Sequence, residues 1–438
     1  MSPKVISLFC TLVLTALIWL PINQATAQDD SVESISNSIQ SGTYAIPENF
    51  FGMSINDLGI PWPNQEFTGQ RLLASNVGWA NLETSPGVYD WKWLDEWVAQ
   101  AQAHNISLIY TFNDVPQFYS SKPGDTNCAY GNTGTGACDP PDDLNADGTG
   151  TDAHFKSFVN ALVSHVGNKI QYWEIWNEPN QDNQWTPTNP NLPYSQLVRM
   201  EADARTIIKD ANSSALILTP SSIGFPNGAP DWMAGYLAAG GGTNADVIAF
   251  HSYVNHRIFG QYPIAENVVP LIQSLKAVMT KYNQQSKPLW ITESGWGKTQ
   301  YDGFTNESLQ TAFTARFILL EASAGAARAY WFQWDGKNGA GTLWQPNSLR
   351  TPGIAYEQIH AWLLGATLSV PCAAKGTVWT CTLTRSGGYQ AMAVWNTAGN
   401  SSFTFPSQYK QYINLSGKVT STSGSTVSIG TWPILLEN

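Results

Sequence analysis

The sequence predicts an α/β fold, a (β/α)8 TIM-type barrel followed by a small, sandwich-like antiparallel β domain at the C-terminal side. Three observations carry that expectation. Between about Phe50 and Gly365, eight short β-branched or aromatic runs alternate with segments of helical period. After Leu364 the pattern changes to brief period-two runs separated by Gly, Asn and Ser. The first run, Phe51-Gly-Met-Ser-Ile-Asn56, lacks the glycine-rich phosphate turn of an open doubly wound sheet. A chain of 438 residues that is 43% hydrophobic and only 13% charged is not disordered.

Taken in order, residues 1–27 read as a signal peptide. Lys4 supplies the positive start, Val5 to Leu20 the apolar run, and Ala25-Thr26-Ala27 the small residues of a cleavage site. The run is shorter than the ~20 residues that span a bilayer, so no membrane anchor is expected. The mature chain would begin near Gln28 and be secreted, to the extracellular or periplasmic space. Residues 28–49 form a polar N-terminal segment able to add a strand to the β domain. The barrel is expected over 50–365 and the β domain over 366–438.

Barrel strands are expected at Phe51–Asn56, Val77–Leu82, Ser107–Phe112, Ile170–Trp176, Leu216–Ser221, Val247–Ser252, Leu289–Glu293 and Ala329–Trp334. Helices are expected at Trp91–His104 behind Asp90, Ala153–Val166 behind Asp152, Tyr194–Asp210, Ala265–Tyr282, Glu307–Ala324 and Gly353–Leu364. The period-two runs are Thr367–Val370, Val378–Thr384, Gln390–Trp395, Ser402–Phe405, Gln411–Leu415 and Thr426–Ile429. So small a β unit holds no core unaided and should pack on the barrel. The long loop from Asn113 to Thr151 belongs on the barrel face where sites are built.

A net charge of −11 argues against a nucleic-acid partner, which would need a basic footprint. Nineteen Trp and 17 Tyr suit flat ligands such as sugar rings. Besides Cys10, four cysteines form two local pairs, so Cys128–Cys138 and Cys372–Cys381 are the expected disulfides of an exported chain. No metal is expected: there is no CxxC, and His251 and His256 lack the i, i+4 spacing of a helical zinc site. Asp143-Leu-Asn-Ala-Asp-Gly148 resembles the opening of a calcium loop, but its twelfth position is His154. It reads as a turn-rich loop capping the helix from Ala153.

Two glutamates stand out. Glu178 lies in Trp173-Glu-Ile-Trp-Asn-Glu-Pro-Asn180, at the carboxyl end of the fourth strand. Glu293 lies in Leu289-Trp-Ile-Thr-Glu-Ser-Gly-Trp296, at the end of the seventh. In a barrel those ends share one face, and a carboxylate pair there is what cleavage of a glycosidic bond requires. Trp176, Trp290 and Trp296 are expected to desolvate one of the pair and raise its pKa. Glu174, two positions earlier and deeper in the barrel, reads as a bystander.

These two segments resemble the paired signatures of the clan A glycoside hydrolases. Gly87-Val-Tyr-Asp-Trp91 and Tyr110-Thr-Phe-Asn-Asp-Val-Pro116 are similar to family 39 and its endo-acting relatives. The resemblance implies a retaining reaction, with Glu178 as acid/base, Glu293 as nucleophile and Asn177 binding the sugar 2-hydroxyl. Phe250-His251-Ser-Tyr253 resembles the clan's His-x-Tyr element, in which the tyrosine bonds the nucleophile. Tyr330-Trp-Phe-Gln-Trp334 ends the eighth strand, where the clan places a tryptophan under the sugar, here Trp331 or Trp334; Trp296 is a further contact. No arginine falls on Val77–Leu82, where many members carry one, and Arg71 precedes that run. A transglycosylase using the same carboxylates and a non-catalytic carbohydrate-binding barrel are the alternatives. No cofactor is expected, the partner is an oligo- or polysaccharide, and the chain reads as a monomer. The sugar, and endo against exo attack, stay open.

Overall fold

In this computed structural model the described residues are 43–63, 67–73, 75–128, 134–224, 228–254, 263–297, 304–336, 339–345 and 347–438. The leader expected over 1–27, and His256, lie outside them.

Eight parallel strands curl into the barrel. They are β1 (Phe51–Met53), β2 (Gly69–Leu72), β3 (Ser107–Thr111), β4 (Tyr172–Glu174), β5 (Leu216–Leu218), β6 (Ile248–His251), β7 (Leu289–Ser294) and β8 (Arg328–Trp331). Each pairs with the next in sequence and β8 returns to β1. Between β5 and β6 the seam is thin: a Leu218–Val247 bridge, then Ser222–Ile223 against Phe250–His251. Helices Lys92–Ala103, Ala153–Val166, Ser195–Ala211, Ala229–Ala238, Val268–Lys281, Glu307–Ser323 and Thr351–Leu363 follow β2 to β8 in turn.

The second strand is not where the sequence places it. Trp79–Leu82 is a turn of helix, and β2 is the more polar Gly69-Gln-Arg-Leu72. Its glycine and its buried polar side chains hide the β pattern, and both have structural causes. A Cβ at Gly69 would stand 2.6 Å from the Tyr330 hydroxyl, and one at Gly52 on β1 would stand 2.3 Å from the same ring. The aromatic ring therefore fills the barrel only because two neighbouring strands give up side chains. Below it Ile109, Leu218, Val247, Ala249 and Trp290 complete the interior.

Two helix caps also differ. Trp91, not Asp90, takes the cap position of Lys92–Ala103, although Asp90 Oδ1 still accepts from the Lys92 amide at 3.0 Å. Asp152 holds the cap position of Ala153–Val166 as expected, but at a left-handed φ of 46° its side chain makes no capping bond. Asp143 reaches across instead: its Oδ2 accepts from the Ala153 and His154 amides and the Thr151 hydroxyl. The loop Asp143–Gly148 thus holds the start of that helix. Helix Ala229–Ala238 carries little polar patterning and escaped the sequence reading.

Beyond the barrel an antiparallel sheet runs in the order Tyr44–Ala45, Thr367–Lys375, Val378–Thr384, Gln390–Asn396, Ile434–Glu437, Gln411–Ile413, Val419–Ser421. Ser401–Thr404 and Thr426–Ile429 form a separate ribbon. Strands Val419–Ser421 and Ile434–Glu437 were not anticipated. Ile-Leu-Leu-Glu lacks alternation because the strand is central and buried along its whole length. One face of the sheet (Leu368, Leu383, Ala391, Ala393, Trp395, Leu435) joins the barrel's core; Val394, Phe405, Tyr409, Ile429, Ile434 and Leu436 make a smaller core on the other. Trp395 Nε1 donates to Glu266 at 3.0 Å, across that junction. Both cysteine pairs are bonded, Cys128–Cys138 in the long loop and Cys372–Cys381 between adjacent strands.

Candidate active site

The site assembles at the carboxyl ends of β2, β4, β6 and β7. Past β4 the chain bends sharply, and Glu178 sits at φ 43°, a conformation unfavourable for a side chain with a Cβ. Its amide donates to the Ser221 carbonyl at 2.8 Å, which anchors the bend. On β6 and β7 the register shifts between Phe250 and His251, bringing His251 opposite Glu293. An oxygen of Glu178, a ring nitrogen of His251 and an oxygen of Glu293 all lie within 4.8 Å of one another.

Each oxygen of Glu293 has its own partner. Tyr253 Oη donates to Oε1 at 2.7 Å and Arg71 Nη1 donates to Oε2 at 2.8 Å. Arg71, which precedes the strand expected at Val77–Leu82, is the arginine of the site. The second strand is Gly69–Leu72, so Arg71 lies on β2, fully buried. Its Nε donates to Glu174 Oε2 at 2.7 Å and its Nη2 to Asn177 Oδ1 at 2.8 Å. Glu174 is therefore no bystander. It neutralises and aims the guanidinium, helped by Thr111, whose hydroxyl donates to Glu174 Oε2 at 2.9 Å.

Glu178 is held differently. Its Oε1 stands 2.7 Å from His251 Nδ1, and its Oε2 accepts from Gln181 Nε2. Asn177 Nδ2 donates to Gln184 Oε1 at 3.0 Å. Gln181 and Gln184 carried no recognisable pattern in the sequence, since loop amides follow no period.

Burial is the largest influence on Glu293 and pushes its pKa up. A charged His251 would oppose this, but burial drives that imidazole down to about 4. At neutral pH the opposition comes from Arg71 and the Tyr253 hydrogen bond, while Glu178 adds to the rise.

The tryptophans are distributed unlike the expectation. Trp290 does not reach the carboxylates: it lies deep in the barrel, with the Arg328 guanidinium 4.2 Å over its ring. Trp296 and Trp331 are buried edge to face, 5.6 Å apart, with their N–H groups on the Gly339 and Gly341 carbonyls. Trp331 also packs toward Tyr356 of the last helix, so its ring belongs to the barrel wall. Trp334 is buried, stacks on Trp344 at 5.3 Å and has no hydrogen-bond partner for its N–H among the described residues. Phe332 follows β8 and is partly exposed. By strand alternation it shares the inward side of Tyr330.

Glu178, His251 and Glu293 are spaced as metal ligands would be. The donor set argues otherwise, because Glu293 already serves a hydroxyl and a guanidinium whose positive charge would repel a cation.

The glycosyl hydrolase catalytic core family matches residues 147–356. Among curated proteins, a β-xylosidase of Geobacillus stearothermophilus is 23% identical over 286 residues, 60% of this chain and 53% of that protein. The match thus spans about half the length of that relative. Solved structures of similar fold include a family 39 glycoside hydrolase from the gut symbiont Bacteroides cellulosilyticus WH2. It has a TM-score of 0.64 at 18% identity, over 90% of this chain and 82% of that one. A family 39 β-xylosidase from Caulobacter crescentus gives 0.60 at 15%, over 90% and 97%. A family 30 endoxylanase from Clostridium papyrosolvens C71 gives 0.54 at 13%, over 91% and 98%. Residues 147–356 thus match a glycosyl hydrolase catalytic core, and the fold is that of solved glycoside hydrolases of families 39 and 30.

Proposed function

We propose that the protein is a secreted retaining glycoside hydrolase acting on β-xylosidic bonds, with Glu293 as nucleophile and Glu178 as acid/base. The observation that carries this is the separation of the two carboxylates, an oxygen of Glu178 and an oxygen of Glu293 lying within 4.8 Å of each other. Pairs about 5 Å apart serve double displacement, whereas inverting pairs stand further apart to admit a water. The preference for xylose follows the relatives named β-xylosidase. Export is supported by the leader-like 1–27 and by two disulfides.

In the first step a Glu293 oxygen bonds the anomeric carbon as the glycosidic C–O bond breaks, and Glu178 gives its proton to the departing oxygen. Tyr253 and Arg71 hold the attacking carboxylate ionised and aimed. In the second step Glu178 takes a proton from water, whose oxygen displaces Glu293 and restores the starting anomer. Asn177 would turn its amide from Gln184 to the 2-hydroxyl, and Phe332 offers a ring under the sugar. A sugar hydroxyl in place of water would give transglycosylation.

The test is hydrolysis of aryl β-xylosides and xylan by wild type, Glu293→Ala and Glu178→Ala. Azide should rescue Glu293→Ala with an inverted glycosyl azide. A rescue product of retained anomer, or none, would reject the assignment.

A further inference from the structure

Glu321 lies on helix Glu307–Ser323, behind the strands that carry the site, and is fully buried. Its Oε1 accepts from Ser252 Oγ at 2.7 Å, and its Oε2 is buried with no hydrogen bond among the described residues. The Ser252 amide donates to the Glu293 carbonyl at 3.1 Å, and the Ser294 hydroxyl donates to the Tyr330 carbonyl at 3.2 Å. Ser252 separates His251 from Tyr253, and Ser294 directly follows Glu293. One carboxyl thus holds the residue that precedes Tyr253 and bonds the Glu293 backbone.

We propose that Glu321 is a positioning residue for the nucleophile, tying through Ser252 the turn that carries Tyr253 to the end of β7 that carries Glu293. This rests on the reading of Glu293 as nucleophile. An ionised Glu321 would leave Oε2 bare in an apolar wall. The neutral acid avoids that cost. Hydrogen bonds then run from Glu321 through Ser252 to the Glu293 backbone. Burial supports the neutral form by pushing this carboxyl from 4.5 to about 8, against the two serines. The titratable group facing it from the last helix is Tyr356, itself pushed up by burial and by Glu321. His251, Tyr253 and Glu293 flank the serines on β6 and β7, and no charged group contributes to the shift of Glu321.

Wild type, Glu321→Gln and Glu321→Leu test this. Gln keeps one acceptor and one donor; Leu keeps neither. On 2,4-dinitrophenyl β-xyloside, Glu321→Leu should lower kcat about 10-fold or more with KM little changed, since small misplacements of reacting groups are costly. Glu321→Gln should restore most of that loss. The melting midpoint is a second readout that needs no activity and survives a Leu variant that fails to fold. Between 4.5 and about 8 the folded chain keeps a proton that the unfolded chain has lost. This contribution to stability is complete below that window and disappears as pH rises through it. The midpoint of wild type relative to Glu321→Gln should therefore fall across the window. A flat difference, or a Gln variant as impaired as Leu in an active enzyme, overturns the positioning role alone. A wild-type chain inert on the glycoside overturns the nucleophile reading and the positioning role together.

Discussion

Arg71 Nε donates to Glu174 Oε2 at 2.7 Å, with neither side chain exposed to solvent. The guanidinium is shared among Glu174, Glu293 and Asn177: Nε and Nη2 face Glu174, Nη1 serves Glu293, and Nη2 also serves Asn177. A lysine offers one compact ammonium and cannot serve all three. Arg71→Lys should retain the fold and lose about 100-fold in kcat/KM, because the nucleophile is no longer aimed. Arg71→Met should unfold more easily by roughly 3–5 kcal/mol, since two buried carboxylates lose their counter-charge. Steady-state kinetics and urea melts measure both. Wild-type behaviour in either variant would dismiss the shared-cation account.

Tyr253→Phe removes the donor to Glu293 Oε1. Hydrogen bonds to charged groups contribute roughly 1.5–3 kcal/mol, so kcat should drop about 10- to 100-fold. The Tyr253 bond lowers the Glu293 pKa, and its loss raises it. A nucleophile must be ionised, so the acid limb of the kcat/KM profile should move to higher pH. An acid limb that stays in place would contradict the assignment.

His251 supplies a stability signature of opposite sign to Glu321. Burial lowers its pKa from 6.5 to about 4. Between those values the unfolded chain takes up a proton that the folded chain refuses. The contribution is full above 6.5 and is lost as pH falls toward about 4. His251→Gln should flatten the acid side of the wild-type curve of melting midpoint against pH. An unchanged slope would mean that other groups set it.

The two disulfides close loops with sequence separations of 10 and 9 residues. Loops of this length correspond to roughly 2–3 kcal/mol each in the chain-entropy account. Reductant should lower the wild-type melting midpoint and leave a variant with Ser at 128, 138, 372 and 381 unmoved. The Cys138 carbonyl accepts from the Thr186 amide at 2.8 Å. Loss of that bridge should therefore disturb the segment holding Gln184, seen as a rise in KM.

Much of the site was legible because its chemistry is concentrated in short segments. Glu178 and Glu293 end strands with ordinary apolar lead-ins, so period and chemistry agree there. Arg71 was hidden for the opposite reason: β2 is buried yet reads Gly-Gln-Arg-Leu, since a ring needs the space and a carboxylate needs the charge. Glu174 misled because depth in a barrel interior looks structural until its partner is known. Between Trp331 and Trp334 the sequence leaves the choice open, because aromatic character does not reveal which side of a strand a ring takes. Glu321 lies on a helix buried over most of its surface, where no sequence period distinguishes one face.

Tyr44–Ala45 pairs with Thr367–Leu368, and the Tyr44 hydroxyl donates to the Ala326 carbonyl at 2.8 Å. Dissecting the gene at the apparent junctions near 50 and 365 would consequently yield no self-sufficient halves. A fragment starting at Phe50 would expose an unpaired sheet edge, and one ending at Gly365 would strip the apolar face beneath it. Chimeras that exchange catalytic cores within this lineage should carry both flanks from the same parent.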